Sequence, residues 1–309
     1  TGKQSDFVPD TKKGWQDAAD KWVTWFDRFS PSTVIFKYMV DEPYMQDKEW
    51  TGVWQYIRQR SKWLHENDGV GKRLLVYCTS NIRKELEGYI DFWALAGQAG
   101  YKRNRNSEPL GYMLDRAQRQ QVKGRLCGFY NGTRPSTGVG LALIDSHAVE
   151  SRVNPWIAWK YKVDQYFFWL TNSFTQGDRK INPFKENYRI YHGRKCWGNG
   201  FLFYPSVGSL FSTNDSKKKY PIPSIRMKNW RRGQQDYEYL WLAQQAGIDT
   251  TEIVNQIVPR ALSEKTNQAG RAEWPSRGYL FEAARRKLAN KIKDKKTIDN
   301  KTDIPHMTR

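Results

Sequence analysis

The chain has little cysteine, little histidine, no long apolar run and a deficit of acidic side chains. Its three cysteines, Cys78, Cys127 and Cys196, are an odd and sparse set without metal-ligand spacing. Cys78 and Cys127 sit inside apolar runs and read as buried thiols. Among the 4 histidines, His147 and His192 stand isolated and read as surface or capping residues rather than ligands. No apolar stretch approaches the ~20 residues that a membrane-spanning helix needs. Paired zinc ligands, an aromatic RNP-type strand and a Walker loop are all missing, so nucleic-acid binding rests on charge alone and is not the expected function. The shortage of acid leaves 51 Lys and Arg against 32 Asp and Glu, a formal net charge of +19. A field of that sign favours anionic partners, such as sulfated or acidic glycans, a charged wall or nucleic acid. Part of it is local: residues 285–309 read as a basic, solvated helix end and tail. The chain begins Thr-Gly-Lys, with neither an initiator Met nor a signal peptide, and its true start is expected upstream.

Aromatic residues, by contrast, are plentiful. They make up 15% of the chain and include 14 tryptophans, which argues against disorder and suits a protein that handles carbohydrate, because flat rings stack on sugar faces. Most of these tryptophans are nevertheless expected in cores. At 309 residues the chain is long enough to bury one large core, with a small appended unit.

Apolar residues at helical spacing (Trp15, Ala18, Ala19, Trp22, Val23, Phe26) predict a helix over 12–29. A second stripe, Trp50, Val53, Trp54, Ile57 and Leu64, predicts another over 47–67. Apolar runs at 32–40, 72–80, 90–97, 124–132 and 163–171 read as strands, with further helices near 109–122 and 147–162. Continuous apolar strands alternating with helices indicate a parallel sheet covered on both faces, hence an α/β fold of barrel or doubly wound type. After residue 172 the pattern changes to a strand over 196–206, then helices near 224–246, 250–264 and 276–293. The strands end in small or polar residues, as expected where a functional rim is built from C-terminal strand ends. A closed barrel needs eight strands and only five are legible, so three are expected upstream of Thr1 or on a second chain.

One strand end stands out. "FKYMVDEPYM" (36–45) closes an apolar run with Asp41-Glu42-Pro43. Two charges in a closed interior cost several kcal/mol each unless paired or protonated, so the pair belongs at a solvated rim or in a working cleft.

Two segments carry a family resemblance. "GNGFLFYPS" with "YPIPSIRMKNWRRGQQDYEYLWLAQQAG", and "RVNPWIAWKYKVDQYFFWLTN", resemble glycoside hydrolase family 123 and the module called domain of unknown function 4091. The resemblance runs from about Gly14 to Leu280. It implies a (β/α)8 TIM-type barrel of which this chain carries strands 4–8, followed by a mainly helical extension. The implied organisation is a catalytic barrel portion over 1–195, a strand-plus-helices module over 196–284, and the basic tail over 285–309. It also maps the family's acid pair onto Asp41 and Glu42. The chain departs from the pattern at Gln165, where glycine is usual, and at Gln235, where an acid is usual.

Ordinary glycosidases flank the bond with two carboxylates, ~5–5.5 Å apart for retention and ~6.5–9.5 Å apart for inversion. The other strand ends supply no carboxylate; Asp145 and Glu150, at a loop-to-helix junction, are the nearest candidates. That scarcity favours a substrate that supplies its own nucleophile through a 2-acetamido group, which leaves the enzyme to provide one acid/base and one orienting carboxylate. By resemblance Glu42 is the acid/base and Asp41 the orienting group, acting on β-linked N-acetylgalactosaminides with retention. Adjacent strand residues point to opposite faces, so residues 40–43 must depart from a regular strand.

Among substrate-binding candidates, Trp169 floors the sugar pocket or packs in the core. Tyr77 and Tyr130 reach the acetamido oxygen or serve structure, and Asn131 and Trp93 are weaker candidates. Arg152 binds substrate or pairs with Asp145 or Glu150. Asp236, Tyr237 and Glu238, with Arg231 and Arg232 nearby, read as a structural ion-pair knot. No cofactor or metal is expected. The expected partner is a glycan, sulfated or otherwise anionic if the charge is meaningful, and the expected location is secreted or at the cell surface. The alternative is a non-catalytic barrel with a structural or anionic-glycan-binding role.

Overall fold

The helical spacing read at 12–29 is realised in full as α1 (Lys12–Phe29), capped where the Thr11 hydroxyl accepts from the Gly14 amide at 3.1 Å. The computed structural model describes residues 10–46, 51–96, 113–130, 138–168, 170–176, 178–186, 188–191, 194–205, 220–262 and 272–302. Trp15, Ala19 and Val23, four apart, form the buried stripe of α1. Trp22, expected on that stripe, is instead exposed, as are Trp25 and Phe29. These rings lie one residue to the side of the stripe and cluster with Phe26: Trp22 stacks on it at 6.0 Å and Trp25 meets it edge-on at 5.0 Å.

The chain divides into two compact units, Thr1–Tyr130 and Asn131–Arg309. In the first, β1 (Phe36–Tyr38), α2 (Pro43–Gln46), α3 (Val53–His65), β2 (Leu75–Thr79), β3 (Phe92–Ala96), α4 (Met113–Val122) and β4 (Leu126–Tyr130) follow α1. The strands lie parallel in the sequential order β1-β2-β3-β4. Sequential parallel order with intervening helices is the arrangement of a β/α barrel segment. Tyr38, Tyr77, Phe92 and Leu126 share one row across the sheet. Tyr77, Phe92 and Ala94 form a buried cluster on that face, with Tyr38, Leu75, Leu126 and Tyr130 packed against it. Residues of the opposite parity face the helices: the Cys127 thiol reaches the Ala117 carbonyl of α4 at 3.4 Å. Cys78, Cys127 and Cys196 are all buried, and none is in a disulfide.

The second unit opens with α5 (Glu150–Tyr161) and β5 (Gln165–Phe167). Three small antiparallel pairs follow: β6 (Thr175–Gln176) with β7 (Arg179–Lys180), β8 (Tyr188–Tyr191) with β9 (Arg194–Trp197), and β10 (Phe203–Tyr204) with β11 (Ile222–Pro223). The single strand expected over 196–206 is therefore two short ones, because Gly198 and Gly200 take positive φ and turn the chain between them. The helices α6 (Ile225–Gln245), α7 (Thr251–Ile257) and α8 (Gly278–Thr302) complete the unit. Gly233 lets α6 lie close to α5, where a Cβ would stand 2.4 Å from the Arg152 carbonyl oxygen.

At this contact Asp236 is fully buried and accepts from three partners. Arg152 donates through Nε at 2.6 Å and Nη2 at 3.0 Å, Arg285 through Nε at 2.6 Å, and Trp156 through Nε1 at 3.0 Å. Arg152 also reaches Glu282 at 2.7 Å. Hydrogen bonds from Arg232 and Arg152 hold the Glu282 carboxyl down at about 2. The knot expected around Asp236 is present, with Arg152 and Arg285 as its cations. Removing the acid strips the buried Arg285 of its carboxylate and leaves Arg152 with Glu282 alone. Asp236→Ala is expected to lose about 3–5 kcal/mol of stability in chemical denaturation, while Lys13→Ala, on the solvent face of α1, stays within about 0.5 kcal/mol of the wild type.

Candidate active site

The parallel ladder continues one residue beyond β1, where the Met39 amide donates to the Tyr77 carbonyl at 2.9 Å. The chain then leaves the sheet. Glu42 adopts φ +42°, a left-handed conformation that costs an L-residue about 1–2 kcal/mol. Pro43 follows as the first residue of α2, where its missing N–H leaves no helical bond unmade. The departure from regular strand geometry that the adjacent acids require is present at Glu42.

Thr79, the last residue of β2, holds this bend. Its hydroxyl accepts from the Glu42 amide at 2.8 Å and donates to Asp41 Oδ1 at 3.0 Å. The Tyr38 hydroxyl donates to the same oxygen at 2.7 Å and lies 2.9 Å from the Thr79 hydroxyl. On the other side, the Tyr130 hydroxyl donates to Glu42 Oε1. Thr79 is buried, Glu42 is half-buried and Asp41 is exposed, so the carboxylates open to solvent from a rigid base.

The phenols around the pair are held protonated. Burial, then the neighbouring Glu42 charge, raises Tyr130, and the same two causes push Tyr44 up to about 12. Burial raises Tyr38, with Asp41 adding to the effect, and burial raises Tyr77. Asp41 thus accepts from the neutral Tyr38 and Thr79 hydroxyls, and Glu42 from that of Tyr130. Such a site can hold one proton on a carboxyl group and present a second carboxylate to a polar N–H.

The residues expected at the site distribute unevenly. Asp41, Glu42 and Tyr130 come together, with Tyr130 bonded to Glu42. Tyr77 lies on the same sheet face but is fully buried, its ring stacked on Phe36 at 4.5 Å and edge-on to Phe92 at 5.1 Å, so it packs beneath the site. Trp93 is fully buried with the opposite strand parity to Phe92 and Ala94, which removes it from the face that carries the acids. Arg152 is committed to Asp236 and Glu282, in place of a substrate or of Asp145 and Glu150. Glu150 accepts from the Leu141 amide at 2.8 Å, and burial pushes its carboxyl up. Asn131 and Trp169 lie outside the described residues. In the second unit, Thr171, Asn172, Phe174, Phe203, Tyr204 and Tyr220 help line a largely apolar cleft of about 500 Å³. Among the described residues no three His, Cys, Asp or Glu side chains gather into a metal-binding group.

Tyr38, Tyr44 and Thr79 are site residues that the sequence reading passed over. A signal for two of them existed: Tyr38 precedes Asp41 by three residues, and Thr79 shares the parity of Tyr77 on the neighbouring strand.

Residues 107–243 match the family model of the glycoside hydrolase 123 catalytic domain. The resemblance noted at 152–172, 198–206 and 220–247 lies inside that stretch except for residues 244–247; Asp41 and Glu42 lie before it. Among solved structures, the chain resembles a family 123 glycoside hydrolase from Clostridium perfringens, whose structural analysis addressed glycolipid glycan hydrolysis. The two are 14% identical with a TM-score of 0.52, over 96% of this chain and 48% of the other, a likeness of fold. The chain thus spans about half the length of that glycoside hydrolase 123 protein. A search of curated proteins returned no match.

The raised phenols give stability a definite pH dependence. Tyr44 has an ordinary value of 10.0 and stands at about 12 when folded. Between those values the unfolded chain releases protons that the folded chain keeps, so stability, fully present below pH 10, falls as pH rises through this window. Denaturation from pH 9 to 12 is expected to show that fall, and Tyr44→Phe is expected to lessen its slope.

Proposed function

We propose that the protein is a glycoside hydrolase that cleaves β-linked N-acetylgalactosaminides with retention, by a substrate-assisted mechanism. The observation that carries this reading is the pair of adjacent carboxylates, turned out of a strand end by a left-handed residue and ringed by protonated phenols. The match of residues 107–243 to a glycoside hydrolase 123 catalytic domain supports the reaction class.

Glu42 is the acid/base. It gives a proton to the leaving oxygen, which carries away the bonding electron pair as the glycosidic bond breaks. The acetamido oxygen of the same sugar attacks the anomeric carbon from the opposite face and forms an oxazolinium ring. Asp41 accepts a hydrogen bond from the acetamido N–H and stabilises the positive charge that grows there. Water, deprotonated by Glu42, then opens the ring and restores the starting configuration. Tyr130 holds the Glu42 carboxyl group in place. In this reading β1 to β5 are barrel strands 4–8, and an upstream segment or second chain supplies strands 1–3. The coverage of 48% of the neighbour's length is consistent with that reading, as are the apolar side chains that α1 and the approach to β1 expose at Trp22, Trp25, Phe29 and Val34. The substrate is a glycan outside the cell, and its sulfation would suit the +19 charge.

Glu42→Gln is expected to abolish release of nitrophenol from the β-N-acetylgalactosaminide, with an unchanged circular dichroism spectrum. Asp41→Asn is expected to lower kcat by about 100-fold or more, as for loss of one preorganised transition-state contact. A thiazoline analogue of the sugar is expected to inhibit competitively. Turnover by Glu42→Gln at the wild-type rate would contradict the assignment of the acid. Salt-sensitive binding to a sulfated glycan with no hydrolysis would favour the non-catalytic alternative.

A further inference from the structure

We infer that Thr79 is the positioning residue of the acid pair: its single hydroxyl sets the backbone of Glu42 and the carboxylate of Asp41 together. The inference rests on the reading of Asp41 and Glu42 as the reacting pair. A hydroxyl has one donor and two acceptor sites. At Thr79 the donor goes to Asp41 Oδ1 at 3.0 Å, one acceptor site takes the Glu42 amide at 2.8 Å, and the Tyr38 hydroxyl lies at 2.9 Å. The residue is 1% exposed and sits at the end of a strand paired on both sides, so the hydroxyl has little freedom. Residues 41 and 42, by contrast, lie past the end of β1 and have no ladder of their own. One oxygen atom of β2 thus touches both residues, in addition to the bonds from Tyr38 to Asp41 and from Tyr130 to Glu42.

The left-handed backbone of Glu42 adds to the argument. A conformation of this kind persists only where its surroundings over-determine it. The amide that would otherwise turn away is fixed on Thr79, and the Glu42 carboxylate is fixed on Tyr130. A β-branched side chain suits the strand end, while the hydroxyl gives the position its role. A misplacement of 1 Å at reacting groups costs on the order of 100-fold in rate.

The test uses the whole chain with Thr79→Val, which keeps the shape and removes the hydroxyl, and Thr79→Ser, which keeps the hydroxyl. With nitrophenyl β-N-acetylgalactosaminide, Thr79→Val is expected to lower kcat by about 100-fold with KM little changed, and Thr79→Ser to restore most of the loss. Thr79→Ala serves in place of Thr79→Val if that protein does not fold. A kcat for Thr79→Val near the wild-type value overturns the inference, and so does a Thr79→Ser variant as slow as Thr79→Val. Crystal structures of wild type and Thr79→Val decide the matter without turnover. Loss of positive φ at Glu42, with Asp41 displaced, is the expected result, and an unchanged acid pair overturns the inference. If the wild type does not hydrolyse the substrate but the variant's acids move, the positioning role stands and the hydrolase reading falls.

Discussion

The hydrogen bond between the Glu42 amide and the Thr79 hydroxyl is the constraint on which the candidate site depends. Neighbouring residues on a strand cannot share a pocket, because their side chains leave opposite faces. One residue must break the alternation. Glu42 does so at a cost of about 1–2 kcal/mol, which the surrounding contacts offset. Glycine would adopt that conformation with less strain, and an acidic side chain stands there instead. Departures of this kind, in which a local rule is broken and compensated nearby, are characteristic of functional positions.

Neutral hydrogen-bond donors stand beside the acid pair. In a chain with a formal charge of +19, Asp41 accepts from the neutral Tyr38 and Thr79 hydroxyls and Glu42 from the Tyr130 hydroxyl. Neutral phenols, kept protonated by burial and by the acids themselves, orient the carboxylates through hydrogen bonds. Arg152 and Arg285 serve instead in the second unit, where they bind α5 and α8 to Asp236 of α6.

The outline of the fold was legible because its strands are short apolar runs separated by helices of clear periodicity; α1 falls on the residues that its spacing picks out. The acid pair was legible because two charges at the end of an apolar run need a physical reason. Periodicity was less informative about which side of an element does what. Trp22 shares the apolar spacing of α1 yet is exposed, and Trp93, the second residue of β3, has the opposite parity to Phe92 and Ala94 on the acid-bearing face. Thr79 was hidden because a threonine at a strand end is ordinary; its importance comes from strand register, which pairs Tyr38 with Tyr77 and brings β2 beside the bend. Arg152 was misread because its partners, Asp236 and Glu282, are 84 and 130 residues away, and no local pattern joins them.

The central claim is that Asp41 and Glu42 face one pocket and divide the work on one sugar. A crystal structure of the protein with the thiazoline analogue of N-acetylgalactosamine bound tests it most directly. The expected result is the Asp41 carboxylate within hydrogen-bonding distance of the thiazoline nitrogen, Glu42 beside the anomeric carbon on the leaving-group side, and Glu42 still at positive φ. A ligand bound away from both acids, or carboxylates turned to opposite faces of the strand end, would contradict it.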